Sequence, residues 1–509
     1  MRQLLKNKLL RNGSYVFLFK LVGMACGLLF NTLLVTYFGA NAKTDALLVA
    51  LIIPLGLADD ILRIVNLLVI PQIVRYRDQE PGRLWEFFIS FVLSAGFVCL
   101  GVIGLLWLFS APLMRNIAPG FSGGNLLLVQ EYFVKSLGLL LLLSLNSMVQ
   151  SVAHAEERFL LPSIAGSAYK IASIAGLALL HGRFGLDSVF FGFYAGALIQ
   201  NALLLPVLIR FSQHHARSAN FSFRHVTPIL PALIPILIGS LASHLNGMVG
   251  KYFASFLGPG AVTTLDLAQK IILTIPNLVV IPLATAMFPS LAKWIQDKDV
   301  DKLHDNLGSS VHTIILIAGA IMVVLAFFNQ AVVSLFFGYG EFSRQSIHAT
   351  SANLRAYGFG VIPLCLNQLI YMVLYLNRSL LSLAIIGSLN VGVTLIGNFL
   401  LVGPFGAQGI AASTSLASWS LCLVGIALIH HRGLIRLSRT DAAAVGKTFL
   451  SLAVAAPLLF LAPRAGMEGN KALTIGILGG AFLLVLLPAL WMRIKSAEPI
   501  LLMLGRKRS

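Results

Sequence analysis

Residues 84–109 read LWEFFISFVLSAGFVCLGVIGLLWLF, and the only charged side chain in this stretch is Glu86, near its start. A helix needs about 20 mostly apolar residues to cross the hydrocarbon core of a membrane. This stretch meets that length and carries too little charge for a segment of a soluble domain. It therefore predicts a transmembrane helix, and the same criterion can be applied in both directions along the chain.

Fourteen stretches meet or approach this criterion, the thirteenth being short and the seventh and eighth long, and together they occupy most of the 509 residues. They are Ser14–Tyr37, Thr44–Ile70, Leu84–Phe109, Val129–Ala153, Leu160–Leu180, Val189–Ile209, Val226–Phe256, Val262–Leu291, Val311–Phe328, Leu354–Leu376, Ser379–Leu401, Ala407–Ile429, Phe449–Ala462 and Lys471–Met492, and they are called spans one to fourteen below. The predicted fold class is an all-α integral membrane protein with about 14 transmembrane helices.

The composition agrees with a membrane protein, because 57% of the residues are hydrophobic and 11% are charged, with a mean hydropathy of +0.87. Soluble domains carry about 25% charged residues. Disordered proteins, nucleic-acid modules and secreted disulfide scaffolds are therefore excluded. The four cysteines, Cys26, Cys99, Cys365 and Cys422, lie far apart in apolar stretches and are predicted to be core residues.

The net charge of +18 is concentrated in alternate loops. Loops on the side of the two termini carry most of the basic residues. The opposite loops carry only Lys43, Arg115, Arg183, Arg344, Arg355, Arg464 and Lys471. Because cytoplasmic loops are enriched in Lys and Arg, we predict a multi-pass protein of the inner (cytoplasmic) membrane with both termini cytoplasmic. Nucleic acid is not an expected partner.

Three short motifs recur at nearly one offset along the chain. The pairs are Gly39 and Gly258, Pro71 and Pro289, and Gly185 and Gly406, separated by 219, 218 and 221 residues. The repeat unit is six helices, and since six is even the two halves share one topology. This pattern is typical of transporters whose halves are related by a pseudo-twofold axis along the membrane normal.

The repeat also predicts the domain organisation. We expect an N-terminal six-helix lobe over residues 1–220 and a C-terminal six-helix lobe over residues 221–440, in a parallel pseudo-twofold repeat. Residues 441–509 are expected to add two transmembrane helices and a basic cytoplasmic tail. A cavity between the lobes would suit an alternating-access carrier better than a channel.

Ionisable side chains inside spans are costly and mostly face a cavity or a partner. Four cations fall on spans one, two, seven and eight, and we predict that they bind substrate: Lys20, Arg63, Lys251 and Lys270. Supporting polar residues are predicted to be Asp45, Asp59, Asp60, Asp266, Gln269 and Asn246. Arg63 is also spaced to pair with Asp59 or Asp60. Four cations with few carboxylates favour an anionic ligand such as a phosphate or pyrophosphate.

Other polar groups in spans are predicted to be structural. Glu131 and Lys135 are spaced as an i,i+4 ion pair, a spacing that Asp266 and the predicted substrate cation Lys270 share. Lys170 is predicted to extend its ammonium group to the membrane interface. His244 is predicted to be a hydrogen-bonded packing residue, since no second metal ligand stands at a suitable spacing.

Motifs for nucleotide-driven or metal-dependent chemistry do not occur in the sequence. It contains no G-x-x-x-x-G-K-[ST], no H-E-x-x-H and no C-x-x-C. ATP-driven transport and metal-dependent hydrolysis therefore lack their characteristic residues. We predict a protein that is not an enzyme and that needs no cofactor and no metal.

Several short motifs follow one another from span one to span twelve. They are Phe38-Gly39-Ala40 with Thr44-Asp45-Ala46, Ala118-Pro119-Gly120-Phe121, Arg158-Phe159 followed by Pro162, Phe288-Pro289-Ser290-Leu291, Phe337-Gly338-Tyr339-Gly340-Glu341-Phe342, and Gly403-Pro404 with Gly409. As a set they resemble the MurJ/MviN-type lipid II flippases of the multidrug/oligosaccharidyl-lipid/polysaccharide exporter superfamily. The resemblance implies movement of an undecaprenyl-pyrophosphate-linked saccharide from the inner to the outer leaflet. It implies a lipid-linked anionic glycan and membrane lipids as partners, with glycan-synthesis enzymes as further candidates.

The chain departs from this family at charged positions. Neutral residues such as Phe30 and Asn31 stand where the family typically has an Arg and an acid in span one, and Gln269-Lys270 replace an Asp-Arg pair in span eight. We interpret the predicted cations as a rearranged set. The cargo is therefore either a lipid II-like peptidoglycan precursor or an exopolysaccharide repeat unit.

Two other functions stay open from the sequence. A cation-coupled drug exporter of the same superfamily is disfavoured by the scarcity of carboxylates within spans of the second half. A non-transporting membrane scaffold is disfavoured because it would need a large structured loop or tail.

Overall fold

The structure is a computed structural model, and it describes residues 2–215, 221–222, 227, 247–297, 299–377, 379–434, 439–458 and 471–491. Regular secondary structure in these ranges is entirely helical. The predicted all-α class is therefore confirmed.

The helices are numbered in chain order. They are α1 (Arg2–Phe38), α2 (Ala42–Ala50), α3 (Ile52–Ile64), α4 (Ile70–Gln79), α5 (Leu84–Leu108), α6 (Ser110–Ile117), α7 (Gly124–Ala155), α8 (Leu160–Phe184), α9 (Asp187–His215), α10 (residues 247–254), α11 (Ala261–Gln296), α12 (Val300–Phe337), α13 (Arg344–Gly358), α14 (Val361–Leu376), α15 (Leu380–Phe405), α16 (Ala407–His431), α17 (Arg439–Leu458) and α18 (Lys471–Trp491). A π-helical turn, Val65–Val69, joins α3 to α4, and a 3-10 turn, Pro81–Arg83, precedes α5.

The chain forms two compact units. Unit 1 comprises Met1–Val262 and Tyr339–Phe342, and unit 2 comprises Thr263–Gly338 and Ser343–Ser509. In unit 1, α8 packs on α1 and α9, while α7 packs on α2, α3 and α9. In unit 2, α15 packs on α16, and the C-terminal helices α17 and α18 pack on α12.

Eight of the described helices contain a segment long and apolar enough to cross a membrane. The segments are Leu18–Phe38, Pro81–Leu108, Gly124–Ala155, Leu160–Phe184, Asp187–His215, Asp301–Phe337, Leu381–Phe405 and Ala407–His431. A ninth is added if α13 and α14, bent by 50° at their junction, cross together. The predicted count of fourteen is not confirmed, and most of span seven lies outside the described residues.

Predicted span two differs most from the structure, because it is broken into three helices. The sequence suggested that this span ends at Ile70-Pro71, whereas the helix continues from there to Gln79. The π-helical turn just before it explains the difference: the Ile70 amide donates to the carbonyl of Val65, five residues back. The wider turn accommodates Pro71, which lacks an amide hydrogen and would otherwise clash with the preceding turn.

The repeat is visible in the local geometry of two glycines. Gly185, between α8 and α9, has φ 56° and ψ −138°, and Gly406, between α15 and α16, has φ 55° and ψ −132°. Each amide donates to the carbonyl four residues back, His181 or Val402 respectively. Positive φ is accessible to glycine at little cost. The same turn is therefore built at equivalent positions in the two units.

The helix pairs joined by these turns also pack alike. A Cβ atom added at Gly176 of α8 would overlap the backbone of Gly192 on α9. A Cβ atom added at Gly397 of α15 would lie 2.6 Å from the Cβ of Ser413 on α16. Both contacts follow the offset of the turn glycines, so the repeat extends into the helix packing of each unit.

Candidate functional site

The first family-like motif lies where α1 ends and α2 begins. Gly39 adopts φ 69°, which reverses the chain at little cost. Asn41 caps α2: its side-chain oxygen accepts from the Thr44 amide at 3.2 Å, and Thr44 Oγ1 accepts from the Asn41 amide at 2.9 Å. This capping box satisfies amides at the helix start that have no partner within the helix. Thr44 of the motif therefore has a local structural role.

Asp45 follows in the first turn of α2, and its side chain is completely buried. Its carboxylate accepts a hydrogen bond from the backbone amide of Gly260, with an oxygen–nitrogen distance of 2.6 Å. Gly260 immediately precedes α11. A buried carboxylate is costly unless it is hydrogen-bonded, and a helix start favours negative charge. Asp45 therefore ties α2 to the loop before α11.

Backbone segments approach so closely around this contact that glycine is required. Gly260 has φ 86°, and a Cβ atom there would lie 2.8 Å from the carbonyl oxygen of Ala40. A Cβ atom at Gly39 would lie 2.8 Å from the carbonyl oxygen of Glu341. Real Cβ atoms essentially never come within 3.0 Å of another heavy atom in this way. A side chain at either position would push two backbone segments apart.

Two further loops join the same region. The Glu341 amide donates to the carbonyl of Thr36 at 2.9 Å, and Gly340 faces that same carbonyl. The Gly120 amide donates to Ser255 Oγ at 3.0 Å, and a Cβ atom at Gly120 would overlap the Ser255 backbone. Four segments that are distant in sequence therefore pack together within unit 1.

We call these segments, residues 36–45, 118–121, 255–260 and 339–342, the glycine-loop cluster. Lys251 lies beside it, half-buried, and its Nζ donates to the carbonyl of Leu48 on α2 at 2.7 Å. This predicted substrate cation therefore has a backbone partner. Sequence analysis did not identify Ser255 or Gly260, although the repeat offset had marked the neighbouring Gly258.

Two of the predicted cations, Lys20 on α1 and Arg63 on α3, are exposed within unit 1. Among the residues that the structure describes, neither side chain has a hydrogen-bond or ion-pair partner. The pairing with Asp59 or Asp60 that the spacing of Arg63 allowed is not present. Asp60 is only 5% exposed, whereas Asp59 and Arg63 are both exposed.

Lys170 does not extend to the membrane interface, and that prediction was also wrong. Its Nζ donates to the carbonyl of Gly23 on α1 at 2.8 Å. It lies ten residues into α8, about 15 Å from the helix start at 1.5 Å per residue, which is farther than a lysine side chain reaches. The exposed carboxylate of Asp59 acts electrostatically on it. Its mid-helix position is the signal that could have identified this contact from sequence.

The remaining predicted site residues lie in unit 2 or outside the described ranges. Lys270 Nζ lies 2.7 Å from Asp266 Oδ2, and the side chains are 35% and 13% exposed, which confirms the predicted ion pair. Gln269 is half-buried beside them. Asn246 and His244 lie outside the described residues.

The structural ion pair predicted in span four is confirmed. Lys135 Nζ lies 2.7 Å from Glu131 and 2.7 Å from Asp187, so the lysine also joins α7 to the start of α9. Within the described ranges, no group of three or more His, Cys, Asp or Glu side chains is arranged to hold a metal ion.

A family model and several known proteins are similar to this chain in sequence. The model of the family described as "Lipid II flippase MurJ" matches residues 34–463. A "Probable lipid II flippase MurJ" of Buchnera aphidicola is 23% identical over 443 residues, covering 83% of each chain. The "Lipid II flippase MurJ" of Burkholderia cenocepacia is 23% identical over 440 residues, covering 82% of this chain and 83% of its own.

Solved structures show the same fold. A structure described as "Lipid II flippase MurJ, inward closed conformation" superposes with a TM-score of 0.80 at 19% identity, covering 94% of this chain and 99% of its own. An inward-facing multidrug resistance MATE family transporter of the MOP superfamily superposes with a TM-score of 0.69 at 13% identity, covering 80% and 94%. Because the family match extends over most of the sequence, this integral membrane protein belongs to the lipid II flippase MurJ family.

Proposed function

We propose that the protein is a flippase rather than an enzyme. It moves an undecaprenyl-pyrophosphate-linked saccharide from the inner to the outer leaflet of the bacterial cytoplasmic membrane by alternating access. The observation that carries this proposal is the family match over residues 34–463. The proposal includes a six-helix lobe over residues 1–220 and another over residues 221–440. Both termini would be cytoplasmic, and glycan-synthesis enzymes would supply the cargo.

The exposed cations of unit 1 support an anionic cargo. A basic side chain inside a span carries an insertion cost, which reaches about 2.5–3.5 kcal/mol when an Arg or Lys lies at the helix centre. Lys20 and Arg63 have no protein partner among the described residues that would offset this cost. Pyrophosphate oxygens offer charge-assisted hydrogen bonds to both groups. In unit 2 the predicted substrate cation is Lys270, whose ammonium lies beside Asp266.

We assign the glycine-loop cluster to closure of the outer side of the membrane. Its four segments follow spans one, three, seven and nine, so in a chain with a cytoplasmic N-terminus they all lie on the outer side. Its contacts are mostly single backbone hydrogen bonds and close glycine approaches. Backbone hydrogen bonds of this kind can separate and reform at a modest net cost when water replaces the lost partner, and opening would also hydrate the Asp45 carboxylate. Cargo release to the outer leaflet would require the cluster to open.

The test uses proteoliposomes that contain a fluorescent lipid-linked glycan and measures its transfer between leaflets. Removing one donor from a buried anion costs about 2–5 kcal/mol, a loss of roughly 30-fold or more in affinity. Arg63→Ala and Lys270→Ala should therefore each strongly reduce transfer. The matched controls Arg115→Ala and Lys293→Ala, which remove exposed charges at helix ends, should transfer normally. Normal transfer by both Arg63→Ala and Lys270→Ala would contradict the proposal.

The identity of the glycan is tested by complementation. The chain lacks the family's usual span-one Arg and acid. We therefore propose that it replaces an exopolysaccharide flippase better than a lipid II flippase. Full rescue of cells that lack the lipid II flippase, without rescue of exopolysaccharide export, would show that these departures leave the cargo unchanged.

A further inference from the structure

Unit 2 contains a second basic site, away from the residues discussed above. It is a cavity of about 270 Å³ at the meeting point of three helix ends. Its lining includes Gln330 and Ser334 near the end of α12, Arg344 and His348 in the first turns of α13, and Lys471 at the start of α18. We call it the basic cavity.

The cavity has a basic lining. Among the lining residues that the structure describes, none is an Asp or a Glu. Arg344 and His348 are exposed and spaced i,i+4 on one face of α13, and within the described part of the chain neither side chain has a hydrogen-bond or ion-pair partner. Lys471 approaches from a different helix.

The walls of the cavity are fixed by packing. Beneath it, Phe328 and Val324 of α12 pack with Val485 and Ala481 of α18 in one buried cluster. Phe328 has non-helical backbone angles, φ −118° and ψ 22°, so α12 is kinked just before it reaches the cavity. Thr474, a further lining residue, is 2% exposed. This packing fixes α12 against α18, so these walls of the cavity need little rearrangement when a ligand binds.

The start of α13 is also held in place. Ser343 caps the helix, and its Oγ accepts a hydrogen bond from the Ser346 amide at 3.1 Å. This cap sets the direction in which Arg344 leaves the helix. The helix start adds a favourable electrostatic field for an anion beside the two side chains of α13.

We propose that the basic cavity binds a phosphate group. Arg344 presents a planar guanidinium that bonds phosphate in a bidentate manner, and Lys471 adds a compact point charge. The volume is below the roughly 300–1,000 Å³ of sites for drug-sized ligands, and it suits a single phosphate with its nearest waters. Two of the three helix ends, those of α12 and α13, belong to candidate membrane-spanning segments, whose ends lie near lipid headgroups. The phosphate therefore comes from a lipid headgroup or from free inorganic phosphate.

The first arm of the test uses the full chain in detergent with inorganic phosphate. A ligand that binds only the folded protein raises Tm with its concentration. Phosphate should raise the Tm of the wild type above the effect of potassium chloride at equal ionic strength. The double variant Arg344→Gln/Lys471→Gln should show affinity at least about tenfold weaker. Its matched control, Arg115→Gln/Arg183→Gln, loses the same charge elsewhere and should behave like wild type.

The second arm identifies the source of the phosphate. The protein is reconstituted in nanodiscs of phosphatidylglycerol, or of a galactosyl diacylglycerol that lacks phosphate. It is then released, and the lipids that it retains are counted by native mass spectrometry. Retention of phosphatidylglycerol by wild type and not by the double variant assigns the cavity to a headgroup. A response to inorganic phosphate alone assigns it to the free ion.

The proposal is overturned if neither probe binds wild type, or if the double variant binds both probes as wild type does. Should the double variant fail to fold, Arg344→Lys retains the charge and loses only the bidentate geometry. It should then show phosphate binding intermediate between wild type and no binding, and undiminished binding by Arg344→Lys would also overturn the proposal.

Discussion

The buried carboxylate of Asp45 accepts the backbone amide of Gly260 at 2.6 Å, although 215 residues separate them in the chain. Asp45 lies in the first turn of α2, and Gly260 leads into α11. The contact joins two loops that stand at equivalent positions of the sequence repeat. It therefore provides a direct way to test whether the glycine-loop cluster controls opening of the outer side.

Substituting Asp45 should weaken the closed cluster. Asp45→Ala leaves the Gly260 amide buried without its acceptor, which costs about 1–3 kcal/mol, so Tm in detergent should fall. Asp45→Asn retains an acceptor oxygen, so its Tm should fall less. The exposed carboxylate variant Asp78→Ala serves as the control. Equal Tm for Asp45→Ala and wild type would mean that this hydrogen bond contributes nothing to the stability of unit 1.

Two glycines allow the effect of close backbone approach on stability to be separated from the effect of backbone strain. Gly39 and Gly433 both have φ 69°, but a Cβ atom at Gly39 meets the Glu341 carbonyl at 2.8 Å, whereas one at Gly433 meets nothing within 4 Å. Both alanine variants carry the cost of a left-handed conformation, about 1 kcal/mol or more. Only Gly39→Ala must also push the cluster apart.

Gly39→Ala should therefore lower Tm clearly more than Gly433→Ala, as measured by thermal unfolding of the two purified variants. We also expect a cysteine placed at exposed Lys43 to react faster with a membrane-impermeant thiol reagent in the Gly39→Ala background. Equal Tm values for the two glycine variants would show that the approach to Glu341 is not tight.

Helices and turns could be predicted from the sequence where a local property of the chain determines them. Apolar runs such as residues 84–109 mark a helix because length and hydropathy alone decide insertion, and the helix observed there is Leu84–Leu108. Gly185 and Gly406 could be matched because a positive φ demands glycine at both turns.

Contacts between distant segments leave no such local signal. The approach of Gly260 to Asp45 is decided by tertiary packing, and nothing near Asp45 in the sequence names its partner. The break in span two was missed because a π-helical turn has the same apolar composition as the α-helix around it. Lys170 was assigned by residue type, without weighing its distance from the helix ends.

Lys170 should act through its contact with α1. Lys170→Met removes the donor to the Gly23 carbonyl, so it should lower Tm, whereas Lys170→Arg should retain part of the stability. Because Asp59 interacts electrostatically with Lys170, the double variant with Asp59→Asn should be less destabilised than the sum of the single variants. Groups in one network couple by about 0.5–3 kcal/mol, and a strictly additive cycle would mean that Asp59 and Lys170 act independently.

The ion pair of Asp266 and Lys270 allows its structural and functional roles to be separated. The acid precedes the base at i,i+4 spacing on α11, which is the favourable order in a helix. If the pair serves only to neutralise charge, each single variant leaves one uncompensated ion in an apolar span, and Asp266→Asn should reduce transport as much as Lys270→Ala. Removing both partners should then restore transport, because no charge remains to be buried.

If Lys270 binds the anionic cargo, the pattern differs. Asp266→Asn removes a competitor for the ammonium and should leave transport near normal, or tighten cargo binding. Lys270→Ala and the double variant Asp266→Asn/Lys270→Ala should both lose transport, because neither has the donor that the pyrophosphate requires. We expect this second pattern in the proteoliposome assay, with Tm recorded for every variant to show that loss of transport does not reflect unfolding. Rescue of transport by the double variant would contradict the assignment of Lys270 to cargo binding.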